Sequence, residues 1–406
     1  MIYETVFLKG HIIDSLTLPR VLDQILSLGG KFNITEIDIG STRSDLSSAV
    51  ITVEAQSQEA LEVIIGKVKI LGAEPQFVRD VKLEKVLYDG VFPDDFYSTT
   101  NMKTLVKYHG KWQSVIGQEM DVGVRYDPLK NEFITTPMND VTIGDLFVVG
   151  HKGVRVVPYE KACVSHGFRF MSSSVSTEKP TGRLILESVR QLVAAKDAGL
   201  KNLFVLGPAV IHGGASGAVV SLVEDGWIDL LFAGNALATH DIESSLFGTS
   251  LGVSLTGGNY AEHGNEHHLR AINLVRKAGS ISSAVDSGLI SSKIMYSCIK
   301  NNVPFVLAGS IRDDGPLPDV ITDVIDAQNV MRQHLNGVGA VVVVGTLLHG
   351  IAVGNLLPAS IPMICVDTNP ASVTKFSDRG SFQCMGIIMD AASFFYDLVK
   401  SLNERI

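Results

Sequence analysis

Six short apolar runs between residues 201 and 389 constrain the fold of this chain more than any other feature. Each run is apolar at nearly every position rather than at every second one, which is typical of strands covered on both faces. Segments long enough for helices separate the runs. We therefore predict an α/β domain over residues 181–406, with a doubly wound, mostly parallel, Rossmann-like sheet. The runs are NLFVL, IDLLFA, PFVLA, AVVVV, IPMICV and MGIIM.

Each run leads directly into a turn that opens with glycine in four cases and with aspartate in two. The carboxyl ends of parallel strands meet at one crevice, where ligands bind. Tight β–α turns alone would explain the glycines but not the aspartates, so we predict a dinucleotide site across these ends. The turns are Gly207-Pro208, Gly234-Asn235-Ala236, 309–316, 345–350, 367–369 and 390–392.

The fingerprint G-x-G-x-x-G is absent, so the dinucleotide phosphates need another cradle. Backbone N–H groups after a glycine, at the start of a helix, favour phosphate. We assign this role to the turn that opens at Gly345, through the N–H groups of Thr346, Leu347, Leu348 and His349. An aspartate at a strand end can accept the hydroxyls of a nucleotide ribose, and Asp367 is preferred to Asp390 for that role.

The loop Arg312-Asp313-Asp314 is the strongest catalytic candidate. Adjacent carboxylates raise each other's pKa, which suits a general base or a clamp for a cationic substrate. A solvated acidic loop is the alternative interpretation.

Histidines concentrate at residues 261–268, where His263 and His267 are four residues apart. A metal site would need a helix to align them, but Gly264 interrupts the segment and H-E-x-x-H is missing. We therefore predict no metal, and expect helix capping and a polar rim instead. The segment 235–243 opens a helix directly after a strand. His240 and Asp241 are candidates for a base and its partner, although adjacent residues on a helix diverge. Asn235 is a candidate for an N-cap or a ligand contact.

The order β-α-β-β-α-β over residues 1–90, with its last strand near Gln76–Lys82, predicts a ferredoxin-like α+β domain. Short strand-like runs over residues 91–180 predict a small β-rich module, which ends in the segment MSSSVSTEKPTG. Three domains are expected: 1–90, 91–180 and 181–406. A ferredoxin-like sheet commonly pairs with a copy of itself, so we expect a homo-oligomer.

Composition narrows the class of partner. The net charge of −9 argues against nucleic acid and favours a small-molecule substrate. No apolar stretch is long enough to span a membrane. Four cysteines without a C-x-x-C pair fit a cytoplasmic protein with neither a disulfide framework nor a zinc cage. Cys163, Cys298 and Cys365 are interpreted as packing residues, and Cys384 as a possible pocket residue.

Several longer runs resemble a known family, the archaeal type of ornithine cyclodeaminase. The resemblance extends to the C-terminal half of cyanobacterial bifunctional arginine dihydrolase/ornithine cyclodeaminases and to the LOR/SDH conserved region. It covers essentially the whole chain. The runs are GNALATHDIE, HHLRAIN, LAGSIRDDGPLPDVITD, GTLLHGIAVGN and CVDTNPASVTK.

The resemblance implies conversion of L-ornithine to L-proline and ammonia, with NAD as a recycled hydride carrier. Hydride would leave the ornithine α-carbon, the δ-amine would attack that carbon, ammonia would depart, and the hydride would return to the cyclic imine. For this chemistry, Asp313 and Asp314 suit the role of base or ammonium clamp, and His349 and Lys152 are the reserve candidates. The implied NAD contacts are Asn235, Ala236, Asp314, Thr346, Leu347, Leu348, His349, Asp367, Asp390 and Ala391.

Three rival functions use the same fold. A net NAD(P)-dependent amino-acid dehydrogenase of the saccharopine or opine type would accumulate reduced cofactor. A non-catalytic NAD or amino-acid sensor would not need the acidic loop. A transferase like deoxyhypusine synthase would need a lysine nucleophile, and no strand end supplies one. The sequence leaves open the catalytic base and the choice between ornithine and lysine.

Overall fold

A computed structural model describes residues 2–13, 15–42, 45–75, 79–157, 181–254, 264–313, 315–378 and 384–404. The chain forms two compact units. Unit 1 comprises Met1–Phe170 with Asn355–Ser360, and unit 2 comprises Met171–Gly354 with Ile361–Ile406. The division into three domains stays a prediction. Within the described ranges, no helix is long and apolar enough to cross a membrane.

The N-terminal part of unit 1 is a four-stranded antiparallel sheet in the order β2-β3-β1-β4. Strand β3 buries every second residue, and the buried face packs against two helices through residues such as Ile51, Val21 and Ile64. This is the predicted ferredoxin-like arrangement. The elements are β1 (Ile2–Gly10), α1 (Thr17–Ser27), β2 (Lys31–Asp38), β3 (Ser47–Ala55), α2 (Gln58–Ile70) and β4 (Glu74–Pro75).

The fourth strand differs from the expected one near residues 76–82. Strand β4 is only Glu74–Pro75, residues 76–78 lie outside the described residues, and Lys82 begins a strand of the next sheet. Proline has no N–H to donate, so Pro75 suits a short edge strand.

The second sheet of unit 1 has seven strands in the order β11-β6-β7-β9-β8-β10-β5. Val106, Val124, Phe133 and Val148 form its core, as expected for the β-rich module. The strands are β5 (Lys82–Lys85), β6 (Lys103–Tyr108), β7 (Lys111–Ile116), β8 (Gly123–Asp127), β9 (Glu132–Thr136), β10 (Leu146–Val149) and β11 (Val154–Val157).

Unit 2 alternates strands and helices. Its strands are β12 (Lys201–Leu206), β13 (Leu230–Gly234), β14 (Thr249–Ser250), β15 (Val253–Ser254), β16 (Phe305–Ala308), β17 (Val320–Ile321), β18 (Val338–Val344), β19 (Met363–Asp367) and β20 (Cys384–Ile388). Its helices are α3 (Thr181–Asp197), α4 (Ala209–His212), α5 (Ser216–Glu224), α6 (Asn235–Phe247), α7 (His267–Ala278), α8 (Ile281–Asp286), α9 (Lys293–Lys300), α10 (Val324–His334), α11 (Leu347–Leu356), α12 (Pro370–Asp378) and α13 (Ala391–Asn403).

Seven of the strands of unit 2 form one parallel sheet in the order β17-β16-β13-β12-β18-β19-β20. All six predicted strands are present, and β17 is an additional edge strand of two residues. The strand order reverses between β12 and β18, which confirms the doubly wound Rossmann-like prediction. The carboxyl ends of these two strands border the crevice in which such sheets bind ligands.

Candidate active site

The turns after β12 and β18 are packed backbone to backbone. The N–H of Gly207 donates to the carbonyl of Val344 at 2.9 Å. A Cβ built on Gly207 would overlap the carbonyl oxygen of Gly345. Gly345 itself has φ +64°, in the left-handed region that favours glycine, and its own Cβ would lie 2.9 Å from the Cβ of Ala209. Glycine at 207 and 345 therefore lets the two turns meet at the switch point.

Strand β18, the Gly345 turn, helix α11 and strand β19 form one β–α–β unit with dinucleotide-binding geometry. Helix α11 begins at Leu347, so its first N–H groups have no partner within the helix and lie just after the glycine turn. Asp367 ends β19, about 20 residues further on, which is the usual position of the ribose acceptor. Its Oδ1 accepts the N–H of Asn369 at 2.8 Å. These residues suit a dinucleotide.

Asp390 has a different local role. It is the N-cap of α13, and its Oδ1 accepts the N–H of Ser393 at 2.9 Å. Hydrogen bonds from Ser393 hold the pKa of this exposed carboxyl below its ordinary value. Ala391, the first residue of α13, is half-buried. The carboxylate of Asp390 thus stabilises a helix start.

Asn235 opens α6 after β13 and is buried. Its Oδ1 accepts the N–H of Leu317 at 3.0 Å and the hydroxyl of Thr239 at 3.3 Å. Asn235 therefore fastens the loop after β16 to the start of α6. Ala236, the next residue, is half-buried.

The loop after β16 and the first turn of α11 bring an acid and a base together. Asp313 Oδ2 accepts the N–H of Ser310 at 2.8 Å, which folds the loop on itself. The His349 ring lies 2.8 Å from the position of a Cβ on Gly234. Burial lowers the pKa of His349, although the charge of Asp313 opposes this shift. Asp314 lies outside the described residues.

A buried polar network occupies the C-terminal half of α6. His240 Nδ1 lies 2.8 Å from Glu243 Oε2, and Glu243 Oε1 accepts the hydroxyl of Thr249 at 2.9 Å and the N–H of Gly252 at 3.1 Å. Thr249 Oγ1 also lies 2.8 Å from His267 Nδ1. Burial acts to raise the pKa of Glu243, but hydrogen bonds from His240, Gly252 and Thr249 together hold it below its ordinary value. Glu243 is therefore an ionised carboxylate inside the protein.

His212, at the end of α4, extends this network toward the switch point. Its Nδ1 lies 2.7 Å from the hydroxyl of Ser250, and its ring contacts that of His240 edge to face, with centroids 4.9 Å apart. Burial, together with the neighbouring His240, lowers the pKa of His212. The His268 ring lies 6.3 Å from that of His240.

The proposed pairing of His240 with Asp241 is wrong. Asp241 is buried and accepts the N–H groups of Ile294 and Met295, at 3.1 and 2.8 Å, so it caps α9. Neighbouring residues on a helix point in different directions, and His240 bonds to Glu243, three residues along, instead.

Sequence reasoning missed His212, Glu243, Thr249 and Ser250. One signal was available: every residue from Leu237 to Ser244 is buried, and LATHDIES carries polar side chains on every face of the helix. A fully buried helix with such a composition needs polar partners elsewhere in the fold.

The remaining candidates have other surroundings. Lys152, in unit 1, forms a surface ion pair of 2.9 Å with Glu62. Cys298, Cys365 and Cys384 are free and buried. The Sγ atoms of Cys365 and Cys384 are 3.1 Å apart, so Cys384 packs against a neighbouring strand.

Besides Asp314, the candidates His263 and Cys163 lie outside the described residues. In the ranges that the structure does describe, no group of three or more His, Cys, Asp or Glu residues is arranged to hold a metal ion.

The fold and the strand-end site define a dinucleotide-binding Rossmann protein. Residues 187–398 match the family model described as arginine dihydrolase ArgZ-like, C-terminal, Rossmann fold. Residues 103–185 match the first region of the same C-terminal part, and residues 3–102 match the LOR/SDH bifunctional enzyme conserved region.

Similarity to individual proteins extends over the full chain. An ornithine cyclodeaminase of Methanothermobacter thermautotrophicus is 47% identical over 398 residues, which cover 98% of this chain and 97% of that protein. The apo crystal structure of cyanobacterial ArgZ, an arginine dihydrolase, has a TM-score of 0.87 at 34% identity, covering 100% of this chain and 58% of ArgZ. The ternary complex of AgrE with ornithine and NAD+ has a TM-score of 0.54 at 39% identity, with the same coverages. The chain belongs to the family of archaeal ornithine cyclodeaminases and ArgZ-like C-terminal regions, which confirms the resemblance seen in the sequence.

Proposed function

We propose that this chain is an ornithine cyclodeaminase, which converts L-ornithine to L-proline and ammonia with NAD as a recycled hydride carrier. The observation that carries the proposal is the β–α–β unit formed by β18, α11 and β19, with the Gly345 turn and Asp367 at its two strand ends. The full-length similarity to archaeal ornithine cyclodeaminases and the ornithine–NAD+ complex of AgrE support it.

The proposed NAD contacts differ in the chemical group that each residue contributes and in the part of NAD that this group binds. The N–H groups of Thr346, Leu347, Leu348 and His349 face the phosphates, and the carboxylate of Asp367 accepts the ribose hydroxyls. Asn235 and Ala236, the Asp390–Ala391 turn and Asp314 complete the proposed set. NAD, when bound, accepts a hydride from the α-carbon of the substrate and returns it to the cyclic imine.

Asp313 and His349 are the proposed catalytic residues, together with Asp314. Ornithine carries two ammonium groups, and a carboxylate such as Asp313 attracts such cations. With its pKa lowered by burial, His349 is neutral near pH 7 and can accept a proton from one of them. Removal of that proton gives the neutral amine that the oxidation of the α-carbon requires.

Product stoichiometry tests the proposal. Purified protein is incubated with L-ornithine and a sub-stoichiometric amount of NAD, and proline and ammonia are quantified. We expect both products in equal amounts and in excess of the NAD present. Steady accumulation of reduced nicotinamide without proline would instead identify a net dehydrogenase. Binding of both ligands without any product would identify a sensor. Parallel incubations with L-lysine define the substrate breadth.

We infer further that the protein acts in the cytoplasm and as a homo-oligomer. The free thiols of Cys298, Cys365 and Cys384 fit a reducing compartment. Light scattering coupled to size-exclusion chromatography measures the number of subunits, and a mass of 43.7 kDa would indicate a monomer.

A further inference from the structure

The polar network on α6 has no role in the function proposed above, although burying it is costly. Glu243 is completely buried and ionised, and it is held by His240, by Thr249 and by backbone N–H groups. A buried carboxylate is stabilised only by such partners, and an apolar side chain would fill the same space without that requirement. The network ends at His212, which is partly exposed to solvent. Glu243 is hydrogen-bonded to one imidazole, His240, whose ring contacts the second imidazole, His212, edge to face. This arrangement can orient the second ring and stabilise it once it is protonated.

His212 lies on a helix that borders the predicted ligand-binding crevice of the parallel sheet. Helix α4 follows the Gly207 turn, and the first residue of α4, Ala209, lies beside Gly345 in the proposed phosphate turn. His212 ends the same helix, three residues later. It therefore lies on the element that borders the switch point of the sheet, where ligands of this fold bind.

The cyclodeaminase reaction needs proton transfer at two nitrogens. The α-amine must be neutral for the α-carbon to lose hydride, and the δ-amine must be neutral to attack that carbon. Ornithine enters with two ammonium groups, whereas proline and an ammonium ion leave. The overall reaction therefore neither consumes nor releases protons, and each proton taken by the protein must be returned. The proposed function assigns His349 and Asp313 to only one of these amines.

We propose that His212 is the second acid–base residue of the reaction, and that His240 and Glu243 position its ring; this inference rests on the proposed cyclodeaminase function. Nδ1–H of His212 donates to Ser250, and Nε2 accepts a proton from the δ-ammonium. The δ-nitrogen then forms its bond to the α-carbon and the bond from that carbon to the α-nitrogen breaks. Protonated Nε2 returns its proton to the departing ammonia, so the proton count is unchanged.

The charges around His212 favour this cycle. Glu243 raises the pKa of His212, against burial and His240, which lower it. From α6, His240 and Glu243 face the His212 ring; His267 and His268 of α7 lie behind them, and the Tyr396 hydroxyl of α13 bonds to the carbonyl of Gly214 nearby. His212 is thus neutral near pH 7 and, once protonated, is stabilised by the carboxylate one ring away.

The test compares His212→Gln and Glu243→Gln with His334→Gln, a control at the end of α10. General acid–base groups typically contribute about 100- to 10,000-fold, so we expect His212→Gln to lower kcat by at least about 100-fold. The acidic limb of its kcat/KM profile should lose the contribution of His212 and keep that of His349. His212→Gly should regain activity when imidazole is added. Glu243→Gln should move the acidic limb to lower pH, because it removes the charge that raises the pKa of His212. The control should match the wild type.

A second readout does not depend on turnover. Histidine NMR titration without NAD identifies the His212 signal by its loss in His212→Gln, and its pKa should fall in Glu243→Gln. An active wild type together with a His212→Gln variant whose kcat and acidic limb are both unchanged would overturn the inference. A wild type that makes no proline from ornithine would overturn the proposed function instead. If His212→Gln binds NAD poorly, its low kcat alone does not test the inference. The test then rests on the rescue of His212→Gly by imidazole and on the fall of the His212 pKa in Glu243→Gln. Absence of both would also overturn the inference.

Discussion

Asp367 and Asp390 lie at the ends of neighbouring strands, and their carboxylates have different roles. Asp367 is the proposed ribose acceptor, whereas Asp390 caps helix α13. In both Asp367→Asn and Asp390→Asn, the new amide oxygen still accepts the local backbone N–H, so only the charge is lost. We expect Asp367→Asn to weaken NAD binding by about 10- to 100-fold, because hydrogen bonds to charged groups contribute about 1.5–3 kcal/mol.

Isothermal titration calorimetry with NAD measures this difference. Asp390→Asn should lose less affinity, because its carboxylate caps a helix. Asp323→Asn, an exposed helix cap outside the proposed NAD contacts, is the matched control. Equal losses in Asp367→Asn and Asp390→Asn would contradict the assignment of the ribose to Asp367.

The contact between the two glycine turns leaves no room for a side chain. Gly207→Ala would place its Cβ against the carbonyl of Gly345, which is backbone and cannot swing aside. We expect a loss of about 1–3 kcal/mol in the free energy of unfolding, the usual range for overpacking. NAD affinity should also fall, because the Gly345 turn must shift. Urea unfolding and calorimetry measure the two effects.

Gly217, in α5, is the matched control, since a Cβ there meets nothing within 4 Å. Gly217→Ala should be neutral or slightly stabilising, because alanine is the better helix former. A Gly207→Ala variant as stable as Gly217→Ala would show that the two turns are not tightly packed.

At the scale of single residues, the sequence predicts well the positions of site residues that depend only on their neighbours along the chain. Asp367 and the turn at Gly345 follow directly from strand runs that are apolar throughout, so their positions could be read in advance. The contact between His212 and His240, or between Glu243 and Thr249, depends on how separate elements pack. No spacing in the sequence encodes such pairs, and for that reason Asp241 is the wrong prediction for the partner of His240.

Helix α9 begins at a carboxylate supplied by another helix. Asp241 of α6 accepts the N–H groups of Ile294 and Met295, yet its burial raises its pKa to about 7. In the unfolded chain the same carboxyl titrates near 4, at about the ordinary value for aspartate. Its favourable contribution to stability is therefore complete below about pH 4, and it is lost as the pH rises to about 7.

Asp241→Asn removes this titration while it keeps an oxygen that can accept an N–H. We expect the free energy of unfolding of Asp241→Asn, relative to the wild type, to improve between pH 5 and pH 7 by up to about 1.4 kcal/mol per pH unit. Urea unfolding at pH 5, 6, 7 and 8 measures the trend.

Asp323→Asn is the control, because Asp323 caps α10 through two N–H groups at the exposed surface. Parallel curves for the wild type and Asp241→Asn would contradict the raised pKa.

At the scale of elements, the long strands of each sheet were predicted more accurately than its short edge strands. Every strand of the parallel sheet with a long apolar run was found, whereas β17 has only two residues and carries no such signal. Strand β4 was expected too late in the chain, because its pairing is set by Val6 and Phe7 across the sheet rather than by its own sequence.

For the whole molecule, the short segment Asn355–Ser360 matters more than its length suggests. It belongs to unit 1, where the carbonyl of Asn355 accepts the N–H of Met120 and the N–H of Ala359 donates to Asn101. Ala359 also packs with Met102 and Val156 in a small buried cluster. A protease site placed between residues 171 and 180 should therefore yield two fragments that elute together under native conditions.

Size-exclusion chromatography of the cleaved protein, with the fragments identified by mass, measures this association. Ala359→Glu places a charge in the cluster and should weaken it, whereas Ser360→Glu, at an exposed neighbouring position, should not. Complete separation of the fragments of the otherwise unaltered protein would contradict the role given to the segment.

The segment Asn355–Ser360 also determines where the chain must be cut if one unit is to be replaced by the matching unit of another protein. The chain passes from one unit to the other at 170/171, returns at 354/355 and leaves again at 360/361. Suppose that a single splice replaces residues 1–170 with the matching part of another protein. The chimera would still carry its original residues 355–360, which belong to unit 1 and would not match the new part. Grafting unit 1 faithfully requires three junctions, one of them inside helix α11, which begins at the proposed phosphate turn.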